Sequence, residues 1–342
     1  MLDNAFKILA AGVALFMPIL SPPAVLGEVK TDTRIELHDG QLRVQIIVNP
    51  GHLNPLFGPR FDNTAMVNGV WVDQQPFLKD GSGLVDEFGI TGVGTLNFDE
   101  AKPGDSFIKI GVGELTRPDD KPYFFDTPYA VKRTWPVRVE EAGNQVAVRQ
   151  GSEIVDGYGY SYEKRYRIDA NTLTLHIHYR LHNSGSKRFE VEQYNHNFLC
   201  FSNRPIGASY SFSPGFDLKV AENKFGRAAA IEDGGLKFVG MLHKPGSITT
   251  TQPVRAADSA ITVRENETGQ WARIKSSADL NRFVLYAQPD AICPEQFCRF
   301  VIAPGETAVW EREYQFGIDT RSEASATPSS RIARNTASKS QG

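Results

Sequence analysis

The sequence lacks a large excess of charge of either sign, and it lacks a hydrophobic run of full membrane-spanning length. Its 342 residues include 37 Lys and Arg and 40 Asp and Glu, which gives a net charge of −3. Nucleic-acid-binding domains carry a basic excess, so we expect no nucleic-acid partner. The apolar run from Ile8 to Leu20 is shorter than the ~20 residues that a membrane helix needs. The composition also excludes a collagen, a coiled coil and a polytopic membrane protein.

Cysteines are few, and the short motifs of nucleotide chemistry are absent. Cys293 and Cys298 have no second cysteine pair that would complete a zinc site, so we predict a disulfide between them and a buried thiol at Cys200. His176 and His178 alternate along a strand, and a solvated strand face explains them better than a metal does. No glycine motif of a dinucleotide-binding fold, a P-loop or an α/β-hydrolase is present. We therefore predict no metal site and see no support for a nucleotide cofactor.

The residues that are abundant favour β-structure. The chain has 30 Gly, 20 Pro and 21 Phe, and its apolar residues usually alternate with polar ones, as expected for strands joined by tight turns. The alternation is clearest over residues 173–182, which predicts a half-buried antiparallel strand. No linker rich in Pro, Ser or Gly divides residues 28–318. We predict an all-β fold, with this segment forming one large antiparallel β-sandwich domain.

The two ends of the chain differ from the middle in composition. Lys7 precedes the apolar run, and small residues lead up to Gly27, a pattern typical of a secretory signal peptide over residues 1–27. Residues 319–342 are rich in Ser, Ala, Thr and Arg without apolar periodicity, which predicts a disordered tail. We therefore expect a periplasmic or secreted protein with no stable membrane span after signal cleavage.

Two segments carry candidate functional residues. Residues 192–198 place His196 between two amides and next to Tyr194, where packing alone would favour Val or Ile. Near the C-terminal end, Pro304 and Gly305 form a turn that is followed at once by the carboxylate of Glu306. The density of polar groups in the first segment suggests a site. Taken alone, Glu306 fits a solvated turn residue.

Residues 194–198, Tyr-Asn-His-Asn-Phe, resemble the asparagine-histidine-aromatic strand motif of galactose mutarotases, and residues 304–306 resemble their C-terminal Pro-Gly-Glu. The resemblance implies a large β-sandwich with a sugar-binding face that needs neither metal nor cofactor. It implies that His196 is the general acid and Glu306 the general base of an aldose 1-epimerase-like isomerase. Residues 57–62 resemble the place where this family presents a substrate-binding arginine, which would be Arg60.

The sequence departs from this family at one contact. The family's second sugar-contacting histidine lies between the arginine and the acid motif, and this chain has no histidine between His52 and His176. Residues 84–89, with Glu87, and the loop 114–129, with Tyr123, are the candidate replacements. Together with Arg60, we predict Glu87, Tyr194 and Asn195 as substrate-binding residues.

Three functional classes remain open from the sequence. The first is an exported, carbohydrate-active, aldose 1-epimerase-like enzyme that interconverts sugar anomers by acid and base catalysis, with a monosaccharide or glycan end as its partner. The second is a polysaccharide lyase-like enzyme, in which a base removes a proton beside a uronate carboxylate and Arg60 or Asn195 stabilises the developing charge. The third is a carbohydrate-binding protein without catalysis on the same fold.

Overall fold

Nearly all regular structure in the chain is β-strand, as the alternation predicts. The computed structural model describes residues 33–49, 51, 53–54 and 58–319. These residues form twenty-four strands, all paired antiparallel, and three short 3₁₀ turns at Phe201–Asn203, Gly226–Ala228 and Ala256–Asp258, with no α-helix among them. Within this described part, no helix is long and apolar enough to cross a membrane.

Two ten-stranded sheets make up most of the fold. The first sheet contains β1 (Thr33–Asp39), β2 (Leu42–Val48), β3 (Ala65–Val72), β4 (Gln75–Pro76), β5 (Leu84–Phe88), β14 (Phe189–Asn197), β16 (Val220–Asn223), β19 (Gly246–Thr250), β22 (Arg282–Gln288) and β23 (Ala291–Ile302). Its strand order is β1-β2-β3-β5-β14-β23-β22-β19-β16, with β4 paired to β3. Strands β5, β14 and β23 are therefore neighbours at its centre.

The second sheet covers one face of the first. It contains β10 (Val137–Ala142), β11 (Gln145–Gly151), β12 (Tyr160–Asp169), β13 (Thr174–Asn183), β15 (Tyr210–Pro214), β17 (Ala229–Glu232), β18 (Gly235–Phe238), β20 (Ile261–Glu265), β21 (Gln270–Ser276) and β24 (Thr307–Ile318). A small third sheet contains β6 (Thr95–Leu96), β7 (Ser106–Lys109), β8 (Gly113–Thr116) and β9 (Val131–Arg133).

One continuous apolar core fills the space between the two large sheets. It includes Val44 and Ile46 of β2, Leu175 and Ile177 of β13, and Tyr314 of β24, all at most 2% exposed. Every second residue of these strands faces inward, which is why the alternating pattern of residues 173–182 is visible in the sequence. The prediction of a large antiparallel β-sandwich is confirmed.

A charged cluster lies inside this otherwise apolar core. The ammonium group of Lys164 on β12 lies 2.9 Å from the carboxylate of Asp62 and 3.1 Å from that of Asp86, and it donates a 2.5 Å hydrogen bond to the carbonyl of Ala65. The Lys164 side chain is fully buried, so its charge is tolerated only because these oxygens surround it. The cluster links the second sheet to β3 and β5 of the first sheet.

Strand β14 joins the same cluster through its inward face. Oδ1 of Asp86 accepts hydrogen bonds from the hydroxyl of Tyr179 at 3.0 Å, from Nε2 of Gln193 at 2.8 Å and from Nδ2 of Asn195. The pKa of Asp86 lies above its ordinary value, mainly because the carboxylate is buried. The positive charge of Lys164 opposes this shift, and the negative charge of Asp62 adds to it. This network fixes β5 and β14 relative to each other.

Gly111 allows the backbone to pass close to this cluster. Its φ is +76°, and a Cβ atom built on it would lie 2.4 Å from Oδ1 of Asp62. We predict that Gly111→Ala lowers the free energy of unfolding by at least about 2 kcal/mol, combining the left-handed backbone cost with a steric clash. Gly81→Ala is the matched control, because Gly81 also has a positive φ, +70°, but nothing lies within 4 Å of its Cβ position. Urea unfolding of both variants checks this, and equal losses would contradict it.

The structure corrects the predicted disulfide. Cys293 and Cys298 lie in one strand, β23, five residues apart, which places their Cα atoms about 16 Å from each other. A disulfide needs about 4.4–6.8 Å, and an odd spacing also directs the two side chains to opposite faces. Both are free, buried thiols, as is Cys200, for which burial was predicted correctly.

The chain ends fall largely beyond the described residues. The predicted signal peptide, residues 1–27, and residues 320–342 of the predicted tail lie outside them. Asp319, predicted as the first tail residue, belongs to the fold instead. Its backbone N–H donates to Gly269 at 3.0 Å, and its Oδ1 accepts a 2.9 Å hydrogen bond from the indole of Trp271.

Candidate functional site

The candidate site lies on the face of the first sheet that points away from the second sheet. Strands β14 and β23 pair from Phe189–Ile302 to Gln193–Cys298, and the next bridge between these segments joins Leu199 to Ile292. Between these two points the strands lack their regular ladder. Pro294, which has no N–H to donate, is accommodated in this interval.

His196 and Glu295 face each other across this interval. Nδ1 of His196 lies 2.9 Å from Oε1 of Glu295, and both side chains are at least nine-tenths buried. On the other side of the imidazole, Nε2 lies 2.6 Å from the hydroxyl of Tyr194 and 3.1 Å from Oε2 of Glu87. The histidine is thus held between two carboxylates.

Tyr194 and Glu87 orient the imidazole. The Tyr194 hydroxyl donates a 2.5 Å hydrogen bond to Oε2 of Glu87, which leaves its oxygen to accept from Nε2–H of His196. Both partners are fully buried. Nδ1 of His196 therefore remains directed at Glu295, and no hydrogen bond of acceptable geometry satisfies it.

Two cations compensate the charge of Glu87. Nε of Arg60 donates to Oε2 of Glu87 at 3.1 Å, and Nζ of Lys109 lies 3.7 Å from Oε1. Burial raises the pKa of Glu87, but Arg60, the hydrogen bond from His196 and Lys109 together lower it to about 2. Burial lowers the pKa of Lys109 to about 8, with Glu87 opposing this shift and Arg60 adding to it. Glu87 is consequently a fixed negative charge at neutral pH.

The pKa of His196 lies above its ordinary value of 6.5. Burial alone would lower it, but the carboxylate of Glu295, and then that of Glu87, stabilise the protonated ring more strongly than burial destabilises it. The protonated form contributes stability at pH values below 6.5. That contribution is lost as the pH rises through the raised pKa of the folded protein.

We predict that NMR titration of His196 in the folded protein gives a pKa above 6.5. Glu295→Gln lowers this pKa further than Glu87→Gln does, because Glu295 makes the larger electrostatic contribution. Each variant needs a check of the circular dichroism spectrum, so that the shift is measured on folded protein. A wild-type pKa at or below 6.5, or no shift in Glu295→Gln, would contradict the account.

Aromatic rings surround the ionised groups. The guanidinium of Arg60 lies 4.6 Å from the ring centroid of Phe61 and 4.3 Å from that of Phe125. The His196 ring contacts Phe61 edge-on at 5.1 Å and stacks on Phe198 at 5.6 Å. Arg60, Phe61, Phe125 and Phe198 are all partly exposed, so a ligand approaching His196 meets these side chains first. Apolar rings of this kind suit the C–H faces of sugars.

Four of the predicted site residues come together in the structure: Arg60, Glu87, Tyr194 and His196. Glu87 lies on β5 and the last two on β14, and Cα register pairs Glu87 directly with Tyr194. The predicted loop 114–129 also reaches the site, because the hydroxyl of Tyr123 accepts a 2.8 Å hydrogen bond from Nζ of Lys109.

Asn195 does not face the site, and its assignment as a substrate-binding residue is corrected. It lies between Tyr194 and His196 in an extended strand, so its side chain points to the opposite face. There its Nδ2 donates to the hydroxyl of Tyr179 at 2.9 Å and to Asp86. Asn195 is part of the buried network beneath the site.

Glu306 does not face the site either, and its assignment as the base is corrected. It lies in the exposed turn between β23 and β24, where its Oε2 accepts a 3.2 Å hydrogen bond from the N–H of Ala303. This turn follows Ile302, the partner of Phe189, whereas His196 lies seven residues further along β14. At about 3.3 Å per residue, Glu306 is on the order of 20 Å from His196.

Two charged residues of the site, Glu295 and Lys109, were not predicted from the sequence. Glu295 had a signal, since it is a carboxylate within the largely apolar run 291–298. The flanking cysteines led instead to the prediction of a disulfide loop. Lys109 ends the short strand β7 of the third sheet, and nothing in its local sequence distinguishes it from a solvated lysine.

The fold and this face define a β-sandwich with a buried histidine between two carboxylates. No protein-family model matches the sequence, and no curated protein matches it either. Solved structures do match. A galactose mutarotase related enzyme from Lactobacillus acidophilus matches with a TM-score of 0.53 and 9% identity, over 85% of this chain and 99% of that chain. A galactose mutarotase-like protein from Lactobacillus casei matches with a TM-score of 0.52 and 9% identity, over 83% of this chain and 100% of that chain.

A third solved structure that matches is the GalM/aldose epimerase homologue from C. elegans. It matches with a TM-score of 0.51 and 13% identity, over 85% of this chain and 100% of that chain. At identities this low, the structural likeness establishes the fold alone. The chain has the galactose mutarotase-like fold in a highly divergent sequence, as the motifs at residues 194–198 and 304–306 predict.

Proposed function

We propose that the protein is an exported aldose 1-epimerase-like enzyme that interconverts the α and β anomers of a sugar. The observation that carries the proposal is the 2.9 Å contact between Nδ1 of His196 and Oε1 of Glu295. Support also comes from the fold, which it shares with proteins described as galactose mutarotase-like and aldose epimerase homologues. Export rests on residues 1–27, and N-terminal sequencing of the mature protein tests it.

Anomer interconversion needs one acid and one base close to each other. The base removes the proton of the C1 hydroxyl, and the acid protonates the ring oxygen, which is bonded to the same carbon. The ring opens to an aldehyde, the C1–C2 bond rotates, and the ring closes on the other face of C1. Because both reacting oxygens are attached to C1, two catalytic groups that touch in the free protein are suitably spaced.

The geometry supports His196 as the acid and Glu295 as the base. The raised pKa of His196 favours the protonated ring that an acid needs, and its Nδ1 faces Glu295, where a C1–O5 pair would insert. Glu87 and Tyr194 hold Nε2, so they stabilise the imidazolium and fix its orientation. On ring closure the two groups exchange roles, with His196 accepting a proton from O5.

Arg60 supports sugar binding at the open side of this pair. Its guanidinium is anchored by Glu87 and by two phenyl rings, yet 26% of the side chain is exposed. Its remaining N–H groups are therefore positioned to donate to sugar hydroxyls. Phe61 and Phe198 flank His196 and provide apolar surface for the sugar ring.

A panel of three measurements on the wild-type protein tests the proposal. Anomer exchange is measured by NMR on a series of aldoses, lyase activity by the ultraviolet absorbance of unsaturated products from uronate polymers, and binding by calorimetry. We expect accelerated exchange with at least one aldose and no unsaturated product. An ultraviolet-absorbing product would favour the lyase class. Calorimetric binding without turnover would favour a carbohydrate-binding protein.

A further inference from the structure

Cys293 places a thiol beside the proposed acid and base, and the proposed reaction does not use it. Sγ of Cys293 lies 3.6 Å from Oε1 of Glu295, on the same face of β23. His196 Nδ1, Cys293 Sγ and a carboxylate oxygen of Glu295 all lie within 4.8 Å of one another. These three residues, called here the His-Cys-Glu cluster, present three different donor atoms to one point.

The spacing of these donors is close to that of a tetrahedral zinc site. Zinc binds Cys sulfur at about 2.3 Å and His nitrogen or carboxylate oxygen at about 2.0–2.2 Å, so tetrahedral edges are about 3.5 Å from sulfur to oxygen and about 3.3 Å from nitrogen to oxygen. The observed distances are 3.6 Å from Cys293 to Glu295 and 2.9 Å from His196 to Glu295. The third pair, Nδ1 of His196 and Sγ of Cys293, lies within 4.8 Å, and binding requires these two atoms to approach a tetrahedral edge of about 3.5 Å.

The surroundings of His196 match those of a metal-binding histidine. Such a histidine usually donates its second ring N–H to a carboxylate or another acceptor, which fixes the ring and strengthens its basicity. Here Nε2 of His196 contacts the carboxylate of Glu87 and the hydroxyl of Tyr194. Nδ1, on the cluster side, is buried without a hydrogen bond of acceptable geometry, and His196 as a whole is only 8% exposed.

We propose that the His-Cys-Glu cluster binds a Zn²⁺ ion through Nδ1 of His196, Sγ of Cys293 and a carboxylate oxygen of Glu295, with the fourth position open to water. This departs from the sequence-based prediction of no metal. A Zn²⁺ ion bound to Nδ1 of His196 and to the carboxylate of Glu295 prevents both groups from transferring protons, so it inhibits the proposed epimerase. Binding stands independently of the proposed function, and only the inhibition rests on it.

Calorimetric titration of the metal-free full-length protein with Zn²⁺ tests the site. We expect one equivalent to bind to the wild type and Cys293→Ser to bind at least about 100-fold more weakly, because a ligand is lost while an acceptor for the N–H of Asn197 is kept. Cys200→Ser is the matched control, since Cys200 is a buried thiol outside the cluster whose Sγ lies 3.5 Å from the carbonyl oxygen of Arg204, and it should bind as tightly as the wild type. No stoichiometric binding, or equal binding in Cys293→Ser, overturns the proposal.

Cobalt substitution gives a readout that does not depend on how well a variant folds. Co²⁺ bound to wild-type protein should show thiolate-to-cobalt charge-transfer absorption in the near ultraviolet and tetrahedral visible bands. Absence of the thiolate band in wild-type protein overturns the assignment of Cys293 as a ligand, even if Cys293→Ser does not fold.

The experiments distinguish failure of the proposed zinc site from failure of the proposed epimerase activity. Stoichiometric Zn²⁺ binding without anomer exchange would support the metal site and remove the epimerase. Anomer exchange that is unaffected by Zn²⁺, with no calorimetric binding, would support the epimerase and remove the metal site. If both hold, Zn²⁺ suppresses exchange in the wild type, a chelator restores it, and Cys293→Ser requires more Zn²⁺ for the same loss.

Discussion

Glu295→Gln is expected to slow anomer exchange by about 10²- to 10⁴-fold, the usual contribution of a general acid or base. The substitution keeps the size of the side chain, removes the ability of Glu295 to accept a proton, and takes away the negative charge that raises the pKa of His196. The proton of the C1 hydroxyl then has no acceptor at the position facing His196. Sugar binding, which Arg60 and the aromatic rings are proposed to provide, should change far less than turnover.

Glu306→Gln is the matched control for this experiment, because the Pro-Gly-Glu resemblance assigns the base to Glu306. The structure places that carboxylate in an exposed turn, where it accepts a hydrogen bond from the backbone N–H of Ala303 in the same turn. We expect Glu306→Gln to exchange anomers at the wild-type rate by NMR. Normal exchange in Glu295→Gln, or a large loss in Glu306→Gln, would reverse the assignment of the base.

Lys164→Met is expected to lower the free energy of unfolding by about 3–5 kcal/mol, the largest stability effect predicted here. Methionine fills a similar volume but leaves the carboxylates of Asp62 and Asp86 buried without their cation. Two uncompensated negative charges then remain in the core. Urea unfolding monitored by circular dichroism measures the loss.

The pH dependence of this loss separates charge from packing. Burial raises the pKa of Asp86, and Lys164→Met removes the cation that opposes this shift, so the stability deficit of Lys164→Met should shrink as the pH falls from 7 towards 4 and Asp86 becomes protonated. Lys121→Met is the control, because Lys121 pairs with Asp119 at an exposed site, and we expect no measurable change in stability. A deficit that is the same at both pH values would point to packing alone.

The sequence predicted the sheet architecture because alternation is a local property. Residues 173–182 alternate strictly in sequence, and residues 175–182 of β13 alternate between buried and partly or fully exposed positions. Local sequence also marked residues 192–198 as a segment whose density of polar groups suggests a site. Local sequence could not show which side chains of β14 face the core, because this depends on the second sheet. That sheet covers Asn195 and leaves His196 on the opposite face of β14.

Glu295, the proposed base, was not predicted because its position depends on a contact between distant segments. Glu295 is close to His196 only because β23 lies beside β14, and the two residues are far apart in the chain. Pro294 also obscured the strand, since proline is uncommon in central strands and favoured a loop between the two cysteines. In the structure, Pro294 is tolerated where the regular ladder between β14 and β23 is interrupted.

The buried charges could not be predicted from composition. Lys164 and Lys109 are both fully buried, although lysine is almost always exposed unless it is paired. Their partners, Asp62, Asp86 and Glu87, come from segments tens of residues away. Only the fold shows that Asp86 and Glu87, adjacent in sequence, serve the core and the site respectively.

The most direct test of the central claim is saturation-transfer NMR between the α and β anomeric signals of an aldose at equilibrium, with wild-type protein and His196→Gln compared at equal concentration. We expect faster exchange with the wild type and a return to the buffer rate with His196→Gln. Equal acceleration by both proteins would contradict the proposal that His196 carries the chemistry. Failure of the folded wild type to accelerate exchange of any aldose would contradict the epimerase function itself.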